Sequence, residues 1–565
     1  MQPGEDTSPG GHAPRPVPIS TALGHSRPGF IPKWLLATVL IFLLGASWSS
    51  VIPLFGGPDE PAQMVRAASL VRGQLIGAPM KGQPAATVLV KLPLRLGRPT
   101  ISPPCFATHG AIPAGCKAPC WAYTPLPPHC RSPYPYRGNT ITVPTYVGRY
   151  PPLYYALVGW PSLLFPNLVG VHLMRLASDA LDSIFLGLAI AVAMCFGSTR
   201  LWAAGLGVTI TPTVMSLIAV INPSGLEISA SIAAWTSGLI LIWDSPGAIS
   251  PTLVRATGAS AAVLGLTRAP SPLWVAIMGV FLVVMASRNR RHQLIRSPIV
   301  RRYVYLVVAA CTLSLGWTVL ARATAITSVA PKPPAAASFI QVFALAAEHV
   351  GSIVNEMIGV TGWLDGFMPS FVYLIWIGAV GAIFFYAWAM ADLRHRLGML
   401  VALLASFLVP TAMIVSHART DGIFMQGRDA LPLTVSVPLV AMAALAAAQR
   451  SKRREPMGPE AAGAVTRAVL YGTALANIIS FAAFYRRFAV GLNGPFDFFL
   501  HVKNGWQPAI FGPLLMAWFA LASIAVARWL APSQSNSEKT LDTGASPWTS
   551  LQRHSTPGNR RSRLH

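Results

Sequence analysis

Residues 34–61 read WLLATVLIFLLGASWSSVIPLFGGPDEP. The run from Trp34 to Phe55 is apolar and long enough to cross the roughly 30 Å hydrocarbon layer of a bilayer as a helix. Directly after it, Gly57-Pro58-Asp59-Glu60-Pro61 puts two adjacent carboxylates at a membrane surface. Inside hydrocarbon an ionised carboxylate is costly, but at a helix exit it stays hydrated while facing a bound headgroup. Pro58 and Pro61 fix φ and end the run, so Asp59 and Glu60 are expected in a defined turn, with a second helix from Ala62 to Gly73. The same two acids also suit the N-cap of that helix, and local sequence does not separate the two roles.

Working outward, the rest of the chain has the same character. Of 565 residues, 53% are hydrophobic and only 11% charged, and mean hydropathy is +0.51, which excludes a soluble globular domain. The expected fold is an all-α integral membrane protein of about 12 transmembrane helices with a large first extracytoplasmic loop. The spans begin near Trp34, Leu168, Leu201, Gly225, Leu253, Ser271, Tyr303, Phe371, Leu397, Ala430, Thr466 and Pro508. A net charge of +24 would suit nucleic acid, but the basic residues sit in short loops: six arginines in Arg288–Arg302, then Arg394 and Arg396, then four basic residues in Arg450–Arg454. All three loops share one side in the twelve-span count. By the positive-inside rule that side is cytoplasmic, as are both termini, in a multi-pass plasma-membrane protein that binds no nucleic acid.

In order, residues 1–33 read as a disordered tail, 34–530 as the membrane domain and 531–565 as a basic disordered tail. Within the membrane domain, 56–150 form the first outer loop and 323–369 the second. The first loop holds Cys105, Cys116, Cys120 and Cys130 on the oxidising side of the membrane, which favours two disulfides whose pairing three schemes allow. A zinc site with His109 or His129 is the rival, although the spacing fits no familiar zinc motif. The stretch 152–165 is apolar and aromatic but short, and reads as an interfacial helix. Arg175, Asp179 and Asp182 share one face of the second span, where they would either lock helices together or line a path.

The unusual polar groups, Asp59, Glu60, Arg149, Arg268, Asp365 and Arg428, all fall on the outer face in this topology. Arginine forks hold phosphate while a carboxylate deprotonates a hydroxyl, an arrangement suited to glycosyl transfer from a polyprenyl-phosphate-linked donor lying in the bilayer. Asp59 is the favoured base with Glu60 supporting it. Arg149, Tyr150, Arg268, Asp365, Gln426 and Arg428 are the candidate substrate contacts. The cofactor is left open: the acids admit a divalent metal, which ligand spacing does not indicate, and there is no Walker motif, HExxH or CxxC.

In order, Pro58-Asp59-Glu60-Pro61-Ala62-Gln63, Tyr150-Pro151-Pro152-Leu153-Tyr154-Tyr155, Asn222-Pro223-Ser224-Gly225, Gly362-Trp363-Leu364-Asp365 and Gln426-Gly427-Arg428 resemble an actinobacterial family of predicted membrane proteins of unknown function. The wider plan, an acid in the first outer loop followed by Pro-Pro-Leu at an interfacial helix, also resembles the GT-C glycosyltransferases. That resemblance implies a base or metal ligand at Asp59. The chain departs from these patterns at Gln63, Ser224, Asp429 and Tyr150; at Gln63 and Tyr150 a histidine is usual, so the histidine ligands of a metal site are missing. The functional expectation is a GT-C-type membrane glycosyltransferase of cell-envelope glycan assembly. The alternatives are a lipid or polysaccharide transporter using Arg175, Asp179 and Asp182, and a non-catalytic partner of envelope assembly.

Overall fold

The computed structural model describes residues 29–100, 138–245, 247–325, 330–451, 458–498 and 507–531. The four loop cysteines and most of both tails lie outside the described residues. The protein is an all-α membrane protein. Among the described residues nine helices are long and apolar enough to span: Phe30–Val51, Leu168–Phe196, Pro223–Asp244, Pro298–Leu320, Ser370–Met390, Leu393–Asp421, Gly427–Ser451, Pro459–Val490 and Gly512–Leu530. The other three expected spans are present as helices but differ in form. Pro251–Thr267 and Ser271–Met285 have 17 and 15 residues. The third is broken into Leu201–Thr209 and Pro212–Ile218, bent by 66°.

That break has a local cause. Pro212 cannot donate a helical hydrogen bond, and Thr211 caps the restarting helix by accepting from the Val214 N–H. Carbonyls freed near the break find side-chain donors: Trp376 Nε1 reaches Val208 O at 2.8 Å and Asn477 Nδ2 reaches Ile210 O at 3.3 Å. Irregular backbone at membrane depth persists only when it is satisfied in this way.

Pro223–Asp244 is buried throughout and forms the centre of the domain, whereas Pro298–Leu320, Ser370–Met390 and Gly512–Leu530 leave most of their apolar surface outward. Asn222 starts the central helix by accepting from the Ser224 N–H at 3.0 Å. The segment between the first two long spans folds into the helix Glu60–Leu70 and an antiparallel sheet of Ala78–Pro79, Val88–Pro93 and Thr140–Thr145, with Val88 opposite Thr145 and Pro93 opposite Thr140. Pro152–Gly159 and Pro161–Leu164 are two short helices, and the eight residues of the first rise only about 12 Å.

Arg175, on the second long span, pairs with Glu60 and not with Asp179 one turn away. Its Nε and Nη2 donate to the two Glu60 carboxylate oxygens at 2.6 Å each. Nη1 donates to Ser49 O and Ile52 O, and Nη2 also to Pro53 O, which ends the first span by satisfying its last carbonyls. All five guanidinium N–H groups are thus engaged, and both side chains are fully buried. Removing one partner leaves an uncompensated buried charge, so Arg175→Ala and Glu60→Ala are each expected to destabilise the protein by about 3–5 kcal/mol. Thermal unfolding in detergent checks this, with the double variant costing clearly less than the sum.

Candidate functional site

The Glu60–Arg175 pair fixes a turn whose other acid points elsewhere. Phe55 and Asp59 both take left-handed backbone, with φ of 68° and 59°. Each such residue costs about 1 kcal/mol, so the surrounding contacts must hold the turn. Gly57 N–H donates to Glu60 Oε2, and Asn222 Nδ2 donates to Pro58 O at 2.9 Å. Gly57 itself lies so close to Val220 that a Cβ there would stand 2.8 Å from the valine Cβ. Asp59 occupies the N-cap position of Glu60–Leu70, but its side chain caps nothing. Instead one carboxylate oxygen accepts from the Tyr146 hydroxyl and the other from Arg428 Nη2.

Arg428 comes from the start of the helix Gly427–Thr434, far away in sequence. Beside it, Asp429 Oδ1 lies 2.9 Å from Arg268 Nη2, while Arg268 Nη1 donates to Glu227 Oε2, also at 2.9 Å. Ser271 Oγ donates to the other Glu227 oxygen at 2.6 Å. The result is two linked clusters, Tyr146–Asp59–Arg428 and Asp429–Arg268–Glu227, assembled from five separate segments. The Asp59 side chain is a quarter exposed and Arg428 only a tenth. Arg428 Nε and Nη1 are buried with no hydrogen-bond partner among the described residues. Pro58, Thr213, Ser216, Glu356 and Arg428 line a small cavity of about 10 Å³, room for no more than a single water.

Burial by itself would raise the Asp59 carboxyl, but the Arg428 charge, the Tyr146 hydrogen bond and the nearby Arg268 outweigh it and hold it below the usual 3.8. Burial and the Asp59 charge push the Tyr146 hydroxyl well up, so it stays a donor. Tyr150 is also raised, first by burial, with Arg268, Asp59, Asp429 and Arg428 all within electrostatic reach. Glu356 is raised by burial, partly offset by the Gly427 N–H that donates to its Oε2 at 2.7 Å.

The structure therefore brings together Asp59, Tyr150, Arg268 and Arg428. Glu60 is adjacent but turned into the core. Arg149 Nη1 donates to Ala321 O at 3.2 Å, and its own carbonyl accepts from Trp317 Nε1, which ties it to the end of Pro298–Leu320. Asp365 accepts from Trp363 N–H and Arg487 Nη2, and Trp363 Nε1 donates to Phe55 O, so the Gly362–Asp365 turn buttresses the Phe55 turn from behind. Gln426 precedes the Arg428 helix and donates its N–H to Asp429 Oδ2 at 3.2 Å. Sequence reasoning did not select Tyr146, Glu227, Glu356 or Asp429 as site residues. Glu227 did carry a signal, an acid one turn into an apolar span. Tyr146 carried none.

Among the described residues no three His, Cys, Asp or Glu side chains converge on a metal position. Because Asp59 ionises more readily in the fold, its pairing stabilises the protein above the ordinary aspartate value of 3.8 and is lost as pH falls through the lowered value. The stability gap between wild type and Asp59→Asn is thus expected to be constant from pH 7 to about pH 5 and to close only in strong acid, read from thermal unfolding across pH.

Residues 42–437 match a family model described as "Predicted membrane protein (DUF2142)", a range that contains every member of the two clusters. No curated protein matches the chain. With about 70% of its length inside the match, the chain belongs to the DUF2142 family of predicted membrane proteins.

Proposed function

We propose that the Asp59–Arg428 site receives a polyprenyl-phosphate-linked sugar from the bilayer and transfers the sugar to an acceptor hydroxyl in cell-envelope glycan assembly. The site would face the extracytoplasmic side of the plasma membrane, opposite the arginine-rich loops. One observation carries this reading: a carboxylate lies in contact with a guanidinium whose buried Nε and Nη1 have no partner among the described residues, at the end of the spans. Buried donors without partners are costly, and a phosphate oxygen is the acceptor that best suits a guanidinium fork.

In the transfer, Arg428 and Arg268 hold the phosphate, and Asp59 accepts the proton of the acceptor hydroxyl. The acceptor oxygen bonds to the anomeric carbon as the bond from that carbon to the phosphate oxygen breaks, and the electron pair leaves on the phosphate. No step is assigned to a metal. In proteoliposomes supplied with a polyprenyl-phosphate sugar, Asp59→Asn is expected to lower transfer by about 100-fold or more, the range for loss of a general base. Arg428→Ala should chiefly weaken donor binding. Full transfer by Asp59→Asn would refute this assignment.

A second reading, transport of a lipid or polysaccharide, is favoured by a separate observation. Asp182 is fully buried with both carboxylate oxygens unpartnered among the described residues, and Asp179 Oδ2 is likewise unpartnered. Two glycines make room for these acids: a Cβ at Gly225 would stand 2.5 Å from Asp182 Oδ2, and one at Gly45 would overlap Asp179. Arg175, from the same helix face, is already saturated by Glu60 and the first span. If the protein transports, Asp179→Asn and Asp182→Asn abolish flux in proteoliposomes while Asp59→Asn does not.

A further inference from the structure

The central helix Pro223–Asp244 begins beside Asp59, where Asn222 holds the Pro58 carbonyl, and at its other end Arg290 Nε donates to Leu241 O at 2.9 Å. Arg290 is one of six arginines from Arg288 to Arg302, and it is buried, with Nη1 also donating to Gly247 O and Gln293 Oε1. Arg291 folds back onto the Val283 and Val284 carbonyls of Ser271–Met285. These two anchor the helix Arg288–Arg296, which Ser287 caps by accepting from the Arg290 N–H. The other four, Arg288, Arg296, Arg301 and Arg302, are exposed, and none of their guanidiniums has a hydrogen bond or ion pair among the described residues. Nearby acids do not answer them. None occurs in the chain between Asp244 and Glu348, Asp244 is held by Ser198, Trp202 and Arg450, and Asp392 of the next loop at this end pairs with His395.

These four cations stand at a lipid boundary. On Pro298–Leu320, Arg301, Tyr305 and Val308 share one face, and Val304, Tyr305, Leu306 and Val308 are all exposed. Hydrocarbon therefore begins within a turn of Arg301 and Arg302, and a tyrosine there suits the headgroup level. On Arg288–Arg296, Arg288, His292 and Ile295 share the face turned away from buried Arg290, and Ile295 is 63% exposed, as in a helix that lies in the interface. Arg255, also exposed, joins them: it lies about one turn before Gly258, where an added Cβ would stand 2.4 Å from Tyr303. We propose that this surface binds anionic phospholipid headgroups, with Arg255, Arg288, Arg296, Arg301 and Arg302 as the phosphate contacts. Each guanidinium offers an unoccupied fork to a phosphodiester, and the adjoining exposed apolar side chains are what the acyl chains of the same lipid would cover. A soluble acidic partner would leave those side chains bare. Setting topology needs only charge in the loop, which Arg394 and Arg396 also supply, yet their guanidiniums are occupied by the Met285 and Trp388 carbonyls. The surface lies away from the Asp59–Arg428 site and acts whether or not that site transfers sugar.

The test uses the full-length protein in nanodiscs and compares spin-labelled phosphatidylglycerol with spin-labelled phosphatidylcholine at the protein surface by electron paramagnetic resonance. Wild type is expected to prefer phosphatidylglycerol by about fivefold or more at low salt, and to lose most of that preference by about 1 M salt, where charges are screened beyond about 3 Å. Arg288→Gln with Arg296→Gln, and Arg301→Gln with Arg302→Gln, should each cut the preference to about half or less. The same pairs changed to lysine should keep most of it, and Arg394→Gln with Arg396→Gln should leave it unchanged. If a neutral pair fails to fold or inserts the other way round, the single variants Arg296→Gln and Arg301→Gln are read instead, each with a smaller drop in the same direction. Equal association of the two lipids with wild type, or a preference that survives neutralisation, overturns the site. Binding of soluble polyglutamate without a preference for phosphatidylglycerol also overturns it and assigns the surface to an acidic protein partner.

Discussion

The ion pair between Arg175 and Glu60 is the contact on which the rest of the site depends. It joins the second long span to the turn after the first, and the same guanidinium closes the end of the first span through three carbonyls. A charge pair this deep is worth less as net stability than as a constraint, because desolvation cancels much of the attraction. What it provides is position. With Glu60 pinned inward, the left-handed residue before it must turn its side chain to the opposite side of the turn, toward Arg428.

Around that constraint the fold supplies supports that do not touch the site. Trp363 braces the Phe55 carbonyl, Asn222 braces the Pro58 carbonyl, and the Val220 side chain fills the space left by Gly57. Thr211 and Thr213, at the restart of the broken helix, donate to the Met357 and Glu356 carbonyls and so place the Glu356 wall of the pocket. The kink at Pro212 therefore has a use: an unbroken helix would carry these threonines elsewhere.

Charge is arranged in the site by alternation. Tyr146, Asp59 and Arg428 form one short series, and Asp429, Arg268 and Glu227 another, so neither arginine is without an acid and neither acid chain is without a cation. Within this balance the Arg428 Nε and Nη1 are buried with no hydrogen-bond partner among the described residues.

The sequence alone determined the membrane class, the position of each long apolar run, the proline-bounded acids at the first helix exit and the arginine-rich loops, because hydrophobic length and charge placement are local properties read in a line. It also picked out Asp59, Arg268 and Arg428, since charged residues beside apolar spans stand out against so apolar a chain. It did not show the form of three of those runs, one broken at Pro212 and two the short helices Pro251–Thr267 and Ser271–Met285, because that depends on how neighbours satisfy the backbone. Nor could it divide the adjacent acids Asp59 and Glu60 into one that binds outward and one that locks the core. Which carboxylate meets which arginine is set by helices more than a hundred residues apart in the chain, and only tertiary packing, through the direction in which Arg175 and Arg428 approach the turn, decided it.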